Sequence, residues 1–381
     1  MPIEKPPDDA ARWVALLDRE PEALRSVSIW ARCCGVPTTR LRRQLRATLG
    51  ETPSRILDGA RVRLAARLRA RTDLDAARIL TLAGAAPAPA VPTRERAEGP
   101  LRVWLPARQP FPHHSLQAFL ARRALRGIET PAAGEAFDYV RTLRAAPGHG
   151  VLRIGLRLTD AGVTLEVRGR GRVPLRSLLA RVQGLLDLDA PAASIDAHLR
   201  TDALLAPQVE AVPGRRIPGT WDPFELMVRA ILGQQVSIAA ACTHAAHLVG
   251  LCAAPAGCFP TAEEVARADL AALRMPASRR DTLTRVARAV ADGELDPGGA
   301  VAELRTKLLA IRGIGPWTAE YVAMRAGRDA DAFPASDLIV RQALAVDGIL
   351  PTPAAASARA EAWRPWRAYA VPHLWARAGG G

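Results

Sequence analysis

The residues of this sequence whose types and spacing could do chemistry are concentrated in its last quarter. From Leu308 to Gly327 the chain reads LLAIRGIGPWTAEYVAMRAG. Two apolar helical patterns flank Gly313 and Gly315, which stand one residue apart. A tight hairpin between helices needs positive φ, which glycine adopts without strain. A bare backbone also lets a phosphate come close. The amides at the start of the following helix point toward an anion. Pro316 suits the first helical position, where no amide hydrogen is needed, and Ile314 is predicted to plug the hairpin onto the core. The stretch Gly313, Ile314, Gly315, Pro316 and Thr318 is therefore predicted to clamp one DNA strand without reading its sequence. A lone G-x-G is also compatible with an ordinary helix–helix turn, so the surroundings decide.

Those surroundings are specific in combination. After Gly-Ile-Gly-Pro-Trp-Thr-Ala comes AFPASDLIVRQAL. Upstream, WDPFELMVRAILGQQVSIAAA opens a separate helix pair, and EAWRPWRAYAVPHLW lies near the end. The set resembles the helix-hairpin-helix DNA glycosylase superfamily, in its AlkA-type 3-methyladenine DNA glycosylase II branch, over roughly Leu101 to Ala376. The resemblance implies that Asp337 is the catalytic aspartate. It places Trp317, Tyr321, Trp375 and Phe119 at the walls of a base pocket, and Gly313 and Gly315 in the phosphate-binding hairpin. Gln235 falls where the family inserts a side chain into the gap left by a flipped base. Leucine is common there; a glutamine fills space and can also hydrogen-bond the orphaned base. Pro372 is expected to kink the final helix near Trp375. Each position also has a structural reading: Asp337 or Ser336 as a helix cap, Trp317 and Tyr321 as a core stripe one turn apart, Phe119 as core. Trp363 and Trp366 read as packing residues.

The implied chemistry is coherent. A base inside a duplex must be flipped out before it can be attacked. Cleaving its glycosidic bond builds positive charge on the sugar, as in glycoside hydrolysis, and a carboxylate there stabilises it. An Asp near a helix N-terminus stays ionised. Bases alkylated at N3 or N7 are cationic, so electron-rich Trp and Tyr faces would hold them at ~0.5–2 kcal/mol each. Relatives that cut the strand use a lysine just after the hairpin. Trp317 stands there instead, and Lys307 precedes the hairpin, which predicts a monofunctional hydrolase. No cysteine follows Cys258, so no iron–sulfur cluster is expected. The five cysteines form no C-x-x-C pair, and His113, His114 and His373 lack ligand spacing, so neither zinc nor disulfides are expected. No cofactor is required, although a monovalent cation at the hairpin is compatible with the resemblance.

The elements that position these residues form a mainly α chain with an α+β domain. We expect a helix-hairpin-helix body of two helical lobes plus a small antiparallel-sheet domain, preceded by a small helix-turn-helix module. Residues 1–80 are arginine-rich and helical; 81–99 form an Ala/Pro-rich linker. Residues 100–190 are mixed α/β, with VLRIGLRLTDAGVTLEVRGRG reading as a β-hairpin, and residues 191–381 carry helical period throughout. In the first module, SVSIWARCCGVPTTRLRRQLRATLGETP predicts two short helices across a glycine turn. The second starts at Thr38 or Thr39, with Leu41, Leu45 and Leu49 inward and Arg40, Arg42, Arg43 and Arg46 outward. Thr52-Pro53 opens a long helix to Arg71. The spacing resembles the AraC-type DNA-binding domain over roughly Asp8 to Leu80, but TDLDAARILTLAGAAPAPA runs into the linker before a second recognition helix. Arg40 and Arg43 are the candidate DNA contacts.

The 381 residues include 52 basic and 38 acidic ones, a formal charge of +14. That favours an anionic partner, double-stranded DNA with damaged bases first. Arginine supplies nearly all the basic residues, with lysine only at Lys5 and Lys307, which also fits a compositional bias. The N-terminus lacks a signal-peptide core and no apolar run spans a bilayer. A monomeric, cytoplasmic, nucleoid-associated protein with no membrane contact is expected. The reading from another class is a DNA-binding transcription regulator whose helix-hairpin-helix body is a non-enzymatic clamp; it has no need of Asp337.

Overall fold

The computed structural model describes residues 10, 13–14, 16–17, 24, 26–72, 74–84, 100–131, 137–144, 150–169 and 175–379. The chain divides into two compact units: residues 1–105 with 173–180, and residues 106–172 with 181–381.

In the first unit, helix Val27–Cys33 is capped by Ser26, whose hydroxyl accepts from the Ile29 amide at 3.2 Å. Gly35, at φ 67°, turns the chain into helix Thr38–Leu49. That helix starts at Thr38, but its N-cap is Pro37 and no side chain caps it, so neither Thr38 nor Thr39 plays the expected part. Leu41 and Leu45 are fully buried, whereas Leu49 is 43% exposed. It belongs to the last turn, where Gly50 takes a left-handed conformation and ends the helix, so the inward stripe closes at Leu45. Arg40, Arg42, Arg43 and Arg46 are all exposed. Thr52 caps helix Pro53–Arg71 through the Arg55 amide, with Pro53 in the first turn. Asp75 caps a further helix, Ala76–Ala83, which Gly84 terminates. The linker expected over 81–99 starts too early, because Thr81, Leu82 and Ala83 complete this helix, whose apolar side buries Ile79 and Ala83; residues 85–99 lie outside the described residues.

The second unit holds four antiparallel strands, in the order Gly162–Arg168, Val151–Thr159, Tyr139–Arg144 and Glu129–Thr130. The expected hairpin forms with Thr159 opposite Gly162. Alternation buries Leu152, Ile154, Leu156 and Leu158 of one strand, as a half-covered sheet requires. The helices build two apolar cores. One includes Leu125, Ile231, Leu283, Leu308 and Ile314; the other includes Ile195, Phe333, Trp363, Tyr369 and Trp375. They correspond to the two expected lobes. Helix Pro316–Arg325 serves both, since Ala319 and Val322 belong to the first core while Ala323 and Met324 belong to the second.

Trp363 is a packing residue with a polar handle, its indole N–H donating to Asp202 Oδ2 at 2.7 Å. Pro372 lies inside helix Arg367–Arg377, which is a single helical element from end to end.

Candidate active site

The hairpin between helices Val301–Ala310 and Pro316–Arg325 is built as its sequence demands, with one refinement. Gly313 has φ 97°, and a Cβ there would lie 1.9 Å from Thr282 Oγ1. The Thr282 hydroxyl donates to the Arg312 carbonyl at 3.1 Å, so this glycine is required twice over. Gly315 has φ −100° and nothing within 4 Å of a built Cβ. Positive φ therefore explains only the first glycine; the second leaves an open approach at the helix start. Ile314 is 7% exposed and sits in the core, as expected of a plug. Pro316 occupies the first turn. Arg305 ties the two helices together, reaching Glu320 at 2.6 Å and Asp329 at 2.9 Å.

Thr318 points inward rather than out: it is 2% exposed. Its hydroxyl accepts from Gln234 Nε2 at 3.1 Å, and the same amide donates to the Gly313 carbonyl at 3.2 Å. Thr318 thus serves the hairpin by fixing Gln234, a residue the sequence reading passed over in favour of its neighbour. Gln235 is exposed and takes a left-handed φ of 57°. It stands in the turn between helix Pro223–Leu232, capped by Asp222, and helix Ile238–Leu251, capped by Ser237. Gln234 is anchored to the hairpin, and its neighbour Gln235 is left exposed in the same turn.

Asp337 is the N-cap of helix Leu338–Ala343 and is 7% exposed. Its Oδ1 accepts from the Val340 amide at 3.0 Å, and its Oδ2 accepts from Trp317 Nε1 at 2.7 Å. The cap reading holds, and the same carboxylate also lines a cavity. The helix start and an indole together hold a carboxylate at the wall of a cavity of about 230 Å³. Trp317 and Tyr321 stack with ring centres 5.2 Å apart at 19°, and Trp375 meets Tyr321 at 6.4 Å and 46°. All three line this cavity. Phe119 does not. Its ring lies behind the wall, covered by the Arg123 guanidinium at 3.8 Å and the Arg325 guanidinium at 5.0 Å.

The arginines are what sequence reasoning missed. Arg123, Arg229 and Arg325 all line the cavity, and Asp337 is the one carboxylate among its lining residues. Arg325 donates to the carbonyls of Pro218 at 2.7 Å and Gly219 at 2.8 Å, and also to the Tyr321 hydroxyl. Burial alone would raise the Tyr321 phenol, but Arg325 and Arg123 outweigh it and hold the phenol below its usual value. Burial pushes the Arg123 guanidinium down to about 10. Arg229 is neutralised in a buried network. It pairs with Glu129 at 2.6 Å and Glu225 at 3.1 Å, and Arg141 pairs with Glu129 at 2.7 Å and also with Glu225. Tyr139 donates to Glu129, and Trp221 donates to Tyr139. Burial works to raise the Glu129 carboxyl, but Arg229, Arg141 and the Tyr139 hydrogen bond hold it low. The local signal was an arginine inside an otherwise apolar helical pattern, as in FLARRAL and VAMRAG.

Among the described residues no lysine lines the cavity. Lys307 pairs with Glu303 at 2.9 Å and donates to the Glu294 carbonyl at 2.7 Å. Among the described residues no cluster of His, Cys, Asp and Glu could hold a metal ion, and no helix is long and apolar enough to cross a membrane. The arrangement can receive a flat, electron-poor ring against its aromatic side chains, and present one fixed carboxylate to whatever that ring is attached to.

Comparison with known proteins agrees with this geometry. Residues 102–222 match the AlkA N-terminal domain, and residues 228–368 match the HhH-GPD superfamily base excision DNA repair protein. A Mycobacterium tuberculosis relative, "Probable bifunctional transcriptional activator/DNA repair enzyme AlkA", is 39% identical over 287 residues. That match covers 73% of this chain and 57% of the relative, so the chain spans little more than half of that protein's length. The Escherichia coli K12 "DNA-3-methyladenine glycosylase 2" is 35% identical over 288 residues, covering 71% of this chain and 95% of the relative. The solved structure of an Archaeoglobus fulgidus 3-methyladenine DNA-glycosylase shares the fold, with a TM-score of 0.59 at 19% identity over 73% of this chain and 98% of that one. A helix-hairpin-helix with a buried aspartate at an aromatic cavity, and a relative matched over nearly its whole length, lead to one assignment: the chain belongs to the HhH-GPD superfamily of base excision DNA repair proteins.

Proposed function

We propose that this protein is a monofunctional DNA glycosylase that hydrolyses the N-glycosidic bond of alkylated purines, of the 3-methyladenine type, flipped out of duplex DNA. One observation carries the reading: Asp337, held by Trp317 and the Val340 amide, lies at the wall of the Trp317–Tyr321–Trp375 cavity. The hairpin amides and the Gly315 opening receive a phosphate. Gln235 fills the space the base vacates. The base enters against the aromatic side chains, and its sugar faces the carboxylate. As the bond to the base lengthens, Asp337 stabilises the positive charge on the sugar and orients the incoming water. Both carboxylate oxygens already accept hydrogen bonds, so the group is oriented before substrate arrives. With Trp317 in place of a hairpin lysine, the reaction ends at the abasic site. Neither step calls for a cofactor. We further propose that the protein acts as a monomer in the cytoplasm.

The test is Asp337→Asn, which keeps the shape and a capping oxygen while removing the charge. Single-turnover release of alkylated purines should fall on the order of 10²–10³, with duplex binding retained. Release at the wild-type rate would refute the assignment. The exposed arginines Arg40, Arg42, Arg43 and Arg46 favour a second, weaker DNA contact by the first unit. The regulator reading makes this contact the whole function, and it predicts no base release by the wild type.

A further inference from the structure

A second cavity, of about 140 Å³, abuts the aromatic one and shares Arg123 and Trp375 with it. A water's share of liquid volume is about 30 Å³, so the cavity has room for a phosphate-sized group. Its lining contains Arg122, Arg123, Arg215 and Arg216, and no aspartate or glutamate. Arg216 is 2% exposed. It is fixed by donation to the carbonyls of Ala190 at 3.3 Å, Pro110 at 3.0 Å and Arg108. Its Nε is buried without a hydrogen-bond partner, and so are Arg123 Nη1 and Arg215 Nε. Burial pushes all three guanidiniums below their usual value. Buried charges are ordinarily paired, because leaving water uncompensated is costly. Arg141 and Arg229, by contrast, have their charge offset by two glutamates. Around the second cavity Arg123, Arg215 and Arg216 depart from that rule together.

We propose that this cavity is an oxyanion site that takes a phosphate group. Guanidinium N–H forks match the oxygens of phosphate, and each such bond is charge-assisted. Arg216 is the preformed floor, rigid on its carbonyls, while Arg122, which is exposed, and Arg215 close over the ligand from the rim. The phosphate comes either from a small free anion or from the DNA chain. In both cases it offsets the charge of Arg123, which the aromatic cavity also shows to an incoming base.

Binding does not depend on the base-excision reading and is measured without it. The full chain is titrated calorimetrically with sodium phosphate at constant ionic strength, replacing sodium chloride. Saturable binding is expected, weakened roughly tenfold or more in Arg215→Gln and in Arg122→Gln. Neither residue lines the aromatic cavity. Arg122 is exposed, so Arg122→Gln decides the matter if Arg215→Gln loses its thermal transition. Absence of saturable binding overturns the proposal. So does wild-type affinity in Arg122→Gln, which would move the phosphate to the hairpin amides. Repeating the titration with saturating abasic duplex separates the sources: continued binding assigns a small free anion, and exclusion assigns a phosphate of the DNA.

Discussion

Trp317 shows how one side chain can do two jobs in this site. Its ring face stacks on Tyr321 while its N–H orients Asp337. Trp317→Phe keeps a stacking surface and deletes the donor. Hydrogen bonds to charged groups contribute ~1.5–3 kcal/mol, so base release should slow by roughly 10–100-fold, less than in Asp337→Asn, with substrate binding largely retained. Equal losses in rate and affinity would mean that the indole matters only as a wall. His373 lets the same scale be probed by pH. It is 1% exposed, and burial first, then Arg215, pushes its imidazole down to about 3 from 6.5. The folded protein thus keeps His373 neutral while the unfolded chain protonates it below about pH 6.5. Between pH 6.5 and 3 the unfolded state binds the extra proton, so stability rises with pH across that window and is lost on acidification. His373→Gln should flatten the fall of the thermal midpoint between pH 6.5 and 4; an unchanged slope would assign that fall to other groups.

The hairpin glycines make opposite predictions at the level of elements. Gly313→Ala puts a methyl into Thr282 and forces a left-handed φ on alanine. It should destabilise the protein by ~1–3 kcal/mol and weaken DNA binding along with it. Gly315→Ala meets nothing, so the thermal midpoint should stay at wild type while affinity for duplex falls. Thermal melts and duplex titrations of the pair separate a glycine needed for folding from one needed for approach. If Gly315→Ala binds as wild type, the phosphate does not come to that residue. The ion network behind the cavity is a second element-level device, since it links Glu129 and Arg141 of the sheet to Glu225 and Arg229 of helix Pro223–Leu232. Removing one partner leaves uncompensated buried charge. Glu129→Gln should therefore cost about 3–5 kcal/mol in denaturant unfolding. A cost below 1 kcal/mol would show that water reaches the arginines.

For the whole molecule, the proposed function gives each unit a part in holding DNA. The second unit carries the cavity and the hairpin; the first presents four exposed arginines on helix Thr38–Leu49. Phosphate contacts make affinity fall with salt, each contributing about −0.9 to the slope of log K against log salt. Arg40→Ala with Arg43→Ala, in the full chain, should reduce that slope by about 1–2 and leave base release at saturating DNA unchanged. An unchanged slope would take the first unit off the DNA.

Much of the site was legible in the sequence because its parts are local. A glycine hairpin, a proline at a first turn and aromatics one turn apart are all set by bonds and contacts within a few residues. The local pattern therefore determined Gly313, Ile314 and Pro316 as a hairpin, and family resemblance supplied the expected places of Trp317, Tyr321, Trp375, Asp337 and Gln235, the first four of which line one cavity. It also determined the strand pair around Asp160 and the capped helix at Thr52. What escaped it depends on partners far along the chain. Thr318 looked like a DNA contact until Gln234, 84 residues away, took its hydroxyl. Phe119 looked like a wall of the aromatic cavity until Arg325 and Arg123 came to rest over its ring. Leu49 fitted the inward stripe, but the helix ended before that turn could be covered. Most of all, an arginine in a helix reads as a solvated charge until its neighbours are known. Only the tertiary structure decided that Arg141 and Arg229 are paired below the surface, and that Arg123, Arg215 and Arg216 gather around a cavity with no carboxylate among its described lining residues. The pattern of a sequence records what a residue does to its own helix or strand. The free energy of a buried charge depends on groups brought within a few ångströms by the fold.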